Sequence, residues 1–283
     1  MSYSLAERAY LALMSGAAEH LMATPPRREV YELARAVVTA VEDVAPQVRR
    51  LTLRSEHFRE YTRLGADEYF GLVMPRPDRP LVLPEGNRLD LRKEIIRMPE
   101  QDRPDLRWYT IRAHRPAEAE VDVDIVIHEG GPGGAFLRLV RPGDEVGFRE
   151  GTGGYRAPVK GERHLLVADE AAFPALSAMA DHVQETVGST DAVIAYVELP
   201  TPDHAARIQA PFEIIQVCRG EGDPGSAVLP LVAEADTTGV TYAWVCGEQS
   251  LAAAGRRHLV KECGLNRRSV LFSGYWRRGA ARP

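Results

Sequence analysis

Apolar and polar residues change their rhythm along the chain. From Val37, the segments VVTAVEDVAPQVRRLTL and EYFGLVMP alternate apolar and polar positions and are rich in β-branched side chains, the two-residue period of strands with one buried face. RWYTIRAHRP, beginning at Arg107, and VDVDIVIH, strictly alternating from Val121 to Ile127, continue the pattern. This stretch predicts an antiparallel all-β domain. GGPGGAFLRLVRPGDEVGF then reads as a flexible turn, a short helix and a turn entering a strand. Beyond GTGGYRAPVKGE, short apolar runs alternate with helical periods. HLLVADEAAFPALSAMADHV is strand, loop and helix; DAVIAYVEL, FEIIQVCR, TYAWVCGE and SVLFSGYW are strands; SLAAAGRRHLVKECG is a helix. Such alternation demands crossovers and an open, mostly parallel sheet. Ahead of the β segments, SYSLAERAYLALMSGAAEHLMAT reads as a helix with Ser4 as its cap and Glu7 three residues later, stopping near PPRR. The expected organisation is an amino-terminal helical arm over 1–36, an antiparallel β-barrel domain over 37–156 and an α/β domain over 157–283.

Composition narrows the class of protein more than its role. A chain of 283 residues suits two domains of ordinary size, and 45% hydrophobic with 27% charged residues is the balance of a soluble globular protein. A net charge of -5 gives no general reason to expect nucleic-acid binding. Cys218, Cys246 and Cys263 are widely spaced, which suggests neither a disulfide framework nor a thiolate metal site and points to an intracellular protein. No stretch approaches the roughly 20 apolar residues of a membrane span. A cytoplasmic monomer is expected. Lysine occurs only at Lys93, Lys160 and Lys261, so arginine carries most positive charge. Its planar fork suits carboxylates and phosphates, although genomic bias explains the abundance equally well. The sharpest asymmetry is terminal: Arg256, Arg257, Lys261, Arg267, Arg268, Arg277, Arg278 and Arg282 face only Glu262. Such a patch favours an anionic ligand, with a plain solvated surface as the alternative.

Candidate chemistry lies where strands end. Open parallel sheets bind ligands at the carboxyl ends of their strands. In LLVADEAAFPALSAM, Ala168 ends a strand, Asp169 and Glu170 occupy the loop, and Pro174 lies near the first helical turn. An ordinary strand-to-helix connection would look the same, and there is no GxGxxG fingerprint. WVCGEQS repeats the arrangement with Gly247 and Glu248, while Cys246 reads either as a buried small hydrophobe or as a group facing a ligand. In RWYTIR, alternation puts Arg107, Tyr109 and Ile111 on one face and Trp108, Thr110 and Arg112 on the other. A tyrosine can pack on a flat ring and an arginine can neutralise a diphosphate. A barrel strand with core aromatics and surface arginines fits equally. GGPGGAF offers backbone N–H groups to a diphosphate, or is a hinge. His128 ends the strand before it, with no carboxylate at triad spacing to make it a base.

Taken in order and spacing, RWYTIR, HEGGPGGAF followed by RPGDEV, VADEAAFPAL, WVCGE and GYWRRG resemble the siderophore-interacting protein family from about Val37 to Gly279. These are FAD-dependent ferric-siderophore reductases related to ferredoxin-NADP reductases. The resemblance implies an FAD-binding barrel followed by a nicotinamide-binding sheet. NADH or NADPH would be the donor and a ferric siderophore, expected to be anionic, the acceptor whose iron leaves as Fe(II). It implies that Arg107 holds the FAD diphosphate, that Tyr109 lies against the isoalloxazine and that Thr110 stands near its reactive edge. Tyr109 and Thr110 are thus the catalytic candidates, with Ile111 beside them. Gly133, Gly134, Ala135 and Phe136 would hold the diphosphate from the opposite side, with His128 near the ribityl or adenosine part. Phe136 stands where the family usually has serine, and Arg138 where it usually has an aromatic. Asp169, Glu170 and Pro174 would border the nicotinamide approach, Gly247 and Glu248 would line the same crevice, and Tyr275 and Trp276 would close the flavin side. Arg257 and Lys261 are the candidates for the siderophore. Glu198, with no arginine near it in AYVELPTPD, is suited to accept a ribose hydroxyl bond, which tilts the expectation toward NADH. No protein-bound metal is expected. The rival readings are a flavin reductase or other NAD(P)H oxidoreductase with a different acceptor, and a non-catalytic siderophore or nucleotide carrier.

Overall fold

The two hydropathy regimes fold as two compact units, Pro26–Gly153 and Gly154 onward, the second joined by residues 22–25. The structure, a computed structural model, describes residues 22–85, 90–127, 130–205 and 208–279. The expected antiparallel barrel and mostly parallel α/β sheet are both present.

The first unit contains β1 (Leu33–Ala45), β2 (Val48–Arg54), β3 (Tyr69–Met74), β4 (Asp105–Thr110), β5 (Ala113–Arg115), β6 (Glu120–Val126) and β7 (Glu145–Arg149), with helices α1 (Leu91–Arg97) and α2 (Gly131–Leu139). The strands pair antiparallel in the order β4-β3-β7-β1-β2-β6-β5. The two edge strands are consecutive in the chain, separated only by Ile111 and Arg112. Ile111 N–H donates to Glu68 O beside β3, and Arg112 N–H donates to Asp122 O on β6, both at 2.8 Å. The sheet therefore curls closed, which removes the exposed edges an open sheet would present. Inside lie Leu51, Leu53, Phe70, Val121, Val123 and Phe148, with Phe70 and Phe148 stacked at 4.6 Å.

Strict alternation in VDVDIV would leave its aspartates in water, yet Asp122 and Asp124 are 6% and 4% exposed. Arginine stems from neighbouring strands cover them. Arg50 grips Asp124 at 2.6 and 2.9 Å, and Arg115 grips Asp122 at 2.6 and 2.8 Å. Burial alone would raise the Asp122 carboxyl, but hydrogen bonds from Arg115 and Thr52 hold it below its ordinary value.

Two expectations change here. The predicted arm over 1–36 overlaps the barrel, because β1 begins at Leu33, and residues 22–32 are not helical. Pro25 and Pro26 supply no backbone N–H to a helix, which favours extended chain. The remainder of the predicted arm lies outside the described residues, as does His128. GGPGG, expected as a turn, forms the first turn of α2, with Pro132 at its start where a fixed φ costs nothing.

The second unit contains β8 (His164–Ala168), α3 (Phe173–Thr186), β9 (Val193–Leu199), β10 (Glu213–Cys218), α4 (Val228–Ala233), β11 (Tyr242–Glu248), α5 (Gln249–Lys261) and β12 (Val270–Trp276). Its five parallel strands run β10-β9-β8-β11-β12. The chain leaves β8 for β9 and β10, then returns to the other side of β8 at β11. That reversal opens a crevice outside the carboxyl ends of β8 and β11, the position where doubly wound sheets bind nucleotides.

One residue at the opposite edge makes the unit acid-sensitive. His164, the first residue of β8, is 2% exposed; its Nε2 makes no hydrogen bond among the described residues, with Glu162 Oε2 3.6 Å away. Burial pushes its pKa down to about 4. The unfolded ring titrates near about 6.5, so the contribution of the neutral buried ring is intact above that pH and is lost as pH falls toward about 4. Wild type should lose on the order of 3 kcal/mol through this residue across that window. Urea melts at neutral and acid pH should give a shallower slope for His164→Phe; an equal slope would remove His164 as its origin.

Candidate functional site

In the barrel unit the two motifs singled out in the sequence meet. β4 is bonded along its length to β3, with Arg107 opposite Leu72 and Tyr109 opposite Phe70. Alternation turns half-buried Tyr109 toward the barrel core, while Trp108 packs with Leu106 on the other side. The first turn of α2 crosses the strand there. A Cβ placed on Gly133 would stand 2.6 Å from the Tyr109 hydroxyl and 4.0 Å from Arg107 Cγ, so any larger residue there would have to displace the tyrosine. Burial pushes the Tyr109 hydroxyl up to about 12, keeping it protonated at neutral pH.

This cradle has the donor set an FAD diphosphate requires. The amino end of α2 starts from Gly130, which has no side chain to cap its first N–H groups. Arg107 spends one bond on the Leu106 carbonyl, at 2.7 Å, and joins no ion pair among the described residues. Most barrel arginines, by contrast, are matched to carboxylates, as Arg49, Arg50, Arg54 and Arg115 are. A helix amino terminus near an arginine that joins no ion pair is a donor set suited to an anion.

Other members of the strand and turn serve packing. The Ile111 side chain is fully buried in the barrel core and that of Phe136, 8% exposed, joins it, so what these two residues can offer a ligand is their backbone. Thr110 is 4% exposed at the end of β4. Gly134 is buried and Ala135 half-buried within α2.

In the α/β unit the acidic loop is a structural hub. Asp169 is wholly buried. Its Oδ1 accepts from Ala171 N and Ala172 N at 2.9 and 3.1 Å; its Oδ2 accepts from Glu248 N at 2.6 Å and Trp276 Nε1 at 2.7 Å. The carboxyl fills the space beneath Gly247, whose φ of 148° and 2.6 Å approach to Asp169 Cγ exclude a side chain. Burial and neighbouring Glu170 push Asp169 up to about 7, against the pull of these donors. Glu170 is held bidentately by Arg219 at 2.6 and 2.8 Å. Pro174 is buried at the start of α3. Glu248 caps α5 through Ser250 and Leu251 and accepts from Arg278 N at 3.2 Å. Its carboxyl stays below its ordinary value because these bonds outweigh burial. Tyr275 meets Trp244 edge-on at 6.3 Å.

Asp169, Glu170, Gly247, Glu248 and Trp276 thus converge on the carboxyl edge, but their acidic groups are already engaged by protein donors. Glu198 is corrected more sharply. It is fully buried and accepts from Gly225, Ala227 and Val228 N–H groups at 2.6, 2.8 and 3.1 Å, with Arg219 3.7 Å away. It organises the turn into α4 and has no room for a ribose hydroxyl. The missed residue is Arg219, which follows β10 directly. Parallel strands bring the ends of β8, β9 and β10 together, so a cation there has Glu170 and Glu198 within reach.

Arg257 and Lys261 are exposed but lie in the last turns of α5, roughly 12 and 18 Å along the helix from its amino end at 1.5 Å per residue. They sit toward the edge where β12 begins, away from the crevice. Arg277 and Arg278, also exposed, follow β12 at the carboxyl edge.

Comparison with known proteins agrees with both halves of this geometry. Residues 37–154 match the siderophore-interacting FAD-binding domain and residues 161–279 match the siderophore-interacting protein model. An uncharacterised protein of Mycobacterium tuberculosis is 30% identical over 261 residues, covering 86% of this chain and 89% of the relative. The chain belongs to the siderophore-interacting protein family. It is also 24% identical over 241 residues to the NADPH-dependent ferric-chelate reductase of Escherichia coli, covering 84% of this chain and 91% of that protein. Among solved structures, a siderophore utilization protein from T. fusca aligns with a TM-score of 0.76 at 26% identity, covering 92% of this chain and 98% of that one. The family is thus recognised through both units and through the motifs that build the barrel cradle.

Proposed function

We infer that the protein is an FAD-dependent ferric-siderophore reductase, passing electrons from NADH or NADPH through FAD to chelated Fe(III) and releasing Fe(II). The observation that carries this reading is the meeting of Arg107, Tyr109 and Gly133 beneath an uncapped helix start, within a chain of this family. Bound FAD supplies the conversion between a two-electron hydride donor and a one-electron iron acceptor. Arg107 and the first N–H groups of α2 hold the diphosphate, with Gly133 allowing the backbone to come close. Tyr109, kept protonated, offers its ring and a hydroxyl donor. Thr110 ends the same strand and completes the flavin platform.

Residues at the carboxyl edge of the α/β sheet receive the nicotinamide nucleotide. Gly247 and the Asp169 carboxyl shape the crevice floor, and Trp276 with Tyr275 forms its aromatic side. Arg219 neutralises Glu170, so the floor does not repel an anionic nucleotide as strongly as its carboxylates alone would. Iron enters on its chelator as substrate. Hard-oxygen siderophores hold Fe(II) less firmly than Fe(III), which makes reduction a release step. The acceptor is an anionic ferric siderophore, for which the exposed Arg277 supplies attraction at this edge. The protein works as a monomer in the cytoplasm, where Cys218, Cys246 and Cys263 stay free thiols; no helix among the described residues is long and apolar enough to cross a membrane.

The test is direct. Purified protein should be yellow or become so with added FAD, with quenched flavin fluorescence. A colourless protein that ignores added FAD would overturn the reading in favour of a carrier.

A further inference from the structure

At the carboxyl edge, among the described residues, Trp276 is an aromatic whose ring is held by a carboxylate. It ends β12, pairs with Glu248 after an irregularity at Gly247, and stays half-buried. Its indole N–H donates to Asp169 Oδ2 at 2.7 Å, and the same oxygen accepts Glu248 N–H at 2.6 Å. Oδ1 anchors the approach to α3 through Ala171 and Ala172. One buried carboxyl thereby fixes the indole against the ends of β8, β11 and β12.

The electrostatics of this pair point one way. The face of an indole is the best natural partner for a cation. Donation of the N–H to a carboxylate moves electron density into the ring, making that face more negative. Nicotinamide changes charge during the reaction. Loss of a hydride carries the hydrogen and both electrons of one C–H bond to the flavin and leaves a cationic pyridinium ring. A polarised indole stabilises charge that develops as the hydride leaves, which is where binding energy accelerates a reaction.

Resting on the reductase reading and deepening it, we propose that Asp169 is a positioning residue that holds and polarises Trp276 as the platform for the oxidised nicotinamide ring. Asp169 itself touches no substrate. The charged groups around it are Glu170 on its own loop, Arg219 beyond Glu170 at the end of β10, and Glu248 at the start of α5. Arg219 is committed to Glu170 and Glu198, so the indole is the side chain that donates to Asp169, beside the backbone N–H groups of Ala171, Ala172 and Glu248.

The experiment uses FAD-loaded full-length protein and titrates NAD+ and NADP+ by calorimetry, following whichever the wild type binds. Trp276→Phe keeps a ring but has no N–H to donate; Asp169→Asn removes the charge. Each should weaken binding of the oxidised nucleotide roughly tenfold, the size of one charge-assisted hydrogen bond. The double variant should be no weaker than the worse single one, and the loss should be several-fold larger for the oxidised than for the reduced nucleotide. The wild-type Trp276 fluorescence, taken as the difference from Trp276→Phe, should change as pH falls through about 7 and protonates Asp169, and should be flat in Asp169→Asn. Equal weakening of oxidised and reduced nucleotide, additive effects, or a Trp276→Phe protein that binds oxidised nucleotide like wild type would overturn the proposal. Should Asp169→Asn fail to fold, Trp276→Phe still decides it through the oxidised-to-reduced ratio. Failure of the reductase reading shows separately, as wild type that binds nucleotide and takes its hydride yet reduces no ferric chelate.

Discussion

Arg107→Ala should weaken FAD binding roughly a hundredfold, corresponding to about 3 kcal/mol for deleting a charge-assisted hydrogen bond in a partly buried site. The reason is local. Arg107 has one backbone bond and no ion pair among the described residues, so removing it disturbs little protein structure. Its side-chain stem also runs beside the first turn of α2, where a phosphate would be the shared partner. Arg107→Lys should recover only part of the loss, because an ammonium keeps the charge but not the fork. Titration of flavin fluorescence against the apo-protein measures both. Wild-type affinity in Arg107→Ala would move the diphosphate elsewhere.

Glu198→Ala should destabilise the α/β unit by about 3–5 kcal/mol, the range for breaking a buried, hydrogen-bonded charge network. The carboxylate is fully buried and serves three backbone N–H groups of the turn into α4, with Arg219 close by. Its loss strands those donors and removes a charge near a buried guanidinium. Glu198→Gln keeps acceptor capacity and should lose less. Urea melts followed by circular dichroism give the difference. A variant with wild-type stability and an altered choice between NADH and NADPH would restore the ribose role that the structure removes.

Sequence patterns made the architecture legible because period and burial are coupled. The alternation in VVTAVEDVAPQVRRLTL and the apolar runs LLVA and WVCG correspond to strands with one or both faces covered. Prediction lapsed where tertiary partners decide. LRKEIIR folds as α1 on an Asp90 cap that is visible locally, but the segment has no long periodic run to announce it. Pairing with β7 draws Leu33–Val37 into β1, a partner more than a hundred residues away.

The site was legible to a similar depth. RWYT and GGPGG could be marked as candidates, and only folding shows Tyr109 against Gly133. Carboxylates misled more than glycines did. An acidic residue at a strand end can serve a ligand or the backbone, and its sequence neighbours do not distinguish the two. Glu198 caps α4, Asp169 ties three elements together, and Glu170 answers to Arg219, 49 positions further on. Arg257 and Lys261 look like part of the same basic terminus as Arg277. A helix of thirteen residues carries them toward the opposite edge of the sheet.

The central claim is electron flow from a nicotinamide through bound flavin to chelated iron. Protein loaded with FAD and reduced anaerobically by NADH or NADPH would be mixed with ferric siderophores of different charge, with a ferrous-specific chelator present. Flavin absorbance should return rapidly, one ferrous ion should appear for each electron the nucleotide gives up, and anionic chelates should react fastest. Reduced protein that no ferric chelate oxidises faster than buffer does, while free flavin or a carrier protein oxidises it readily, would contradict the account.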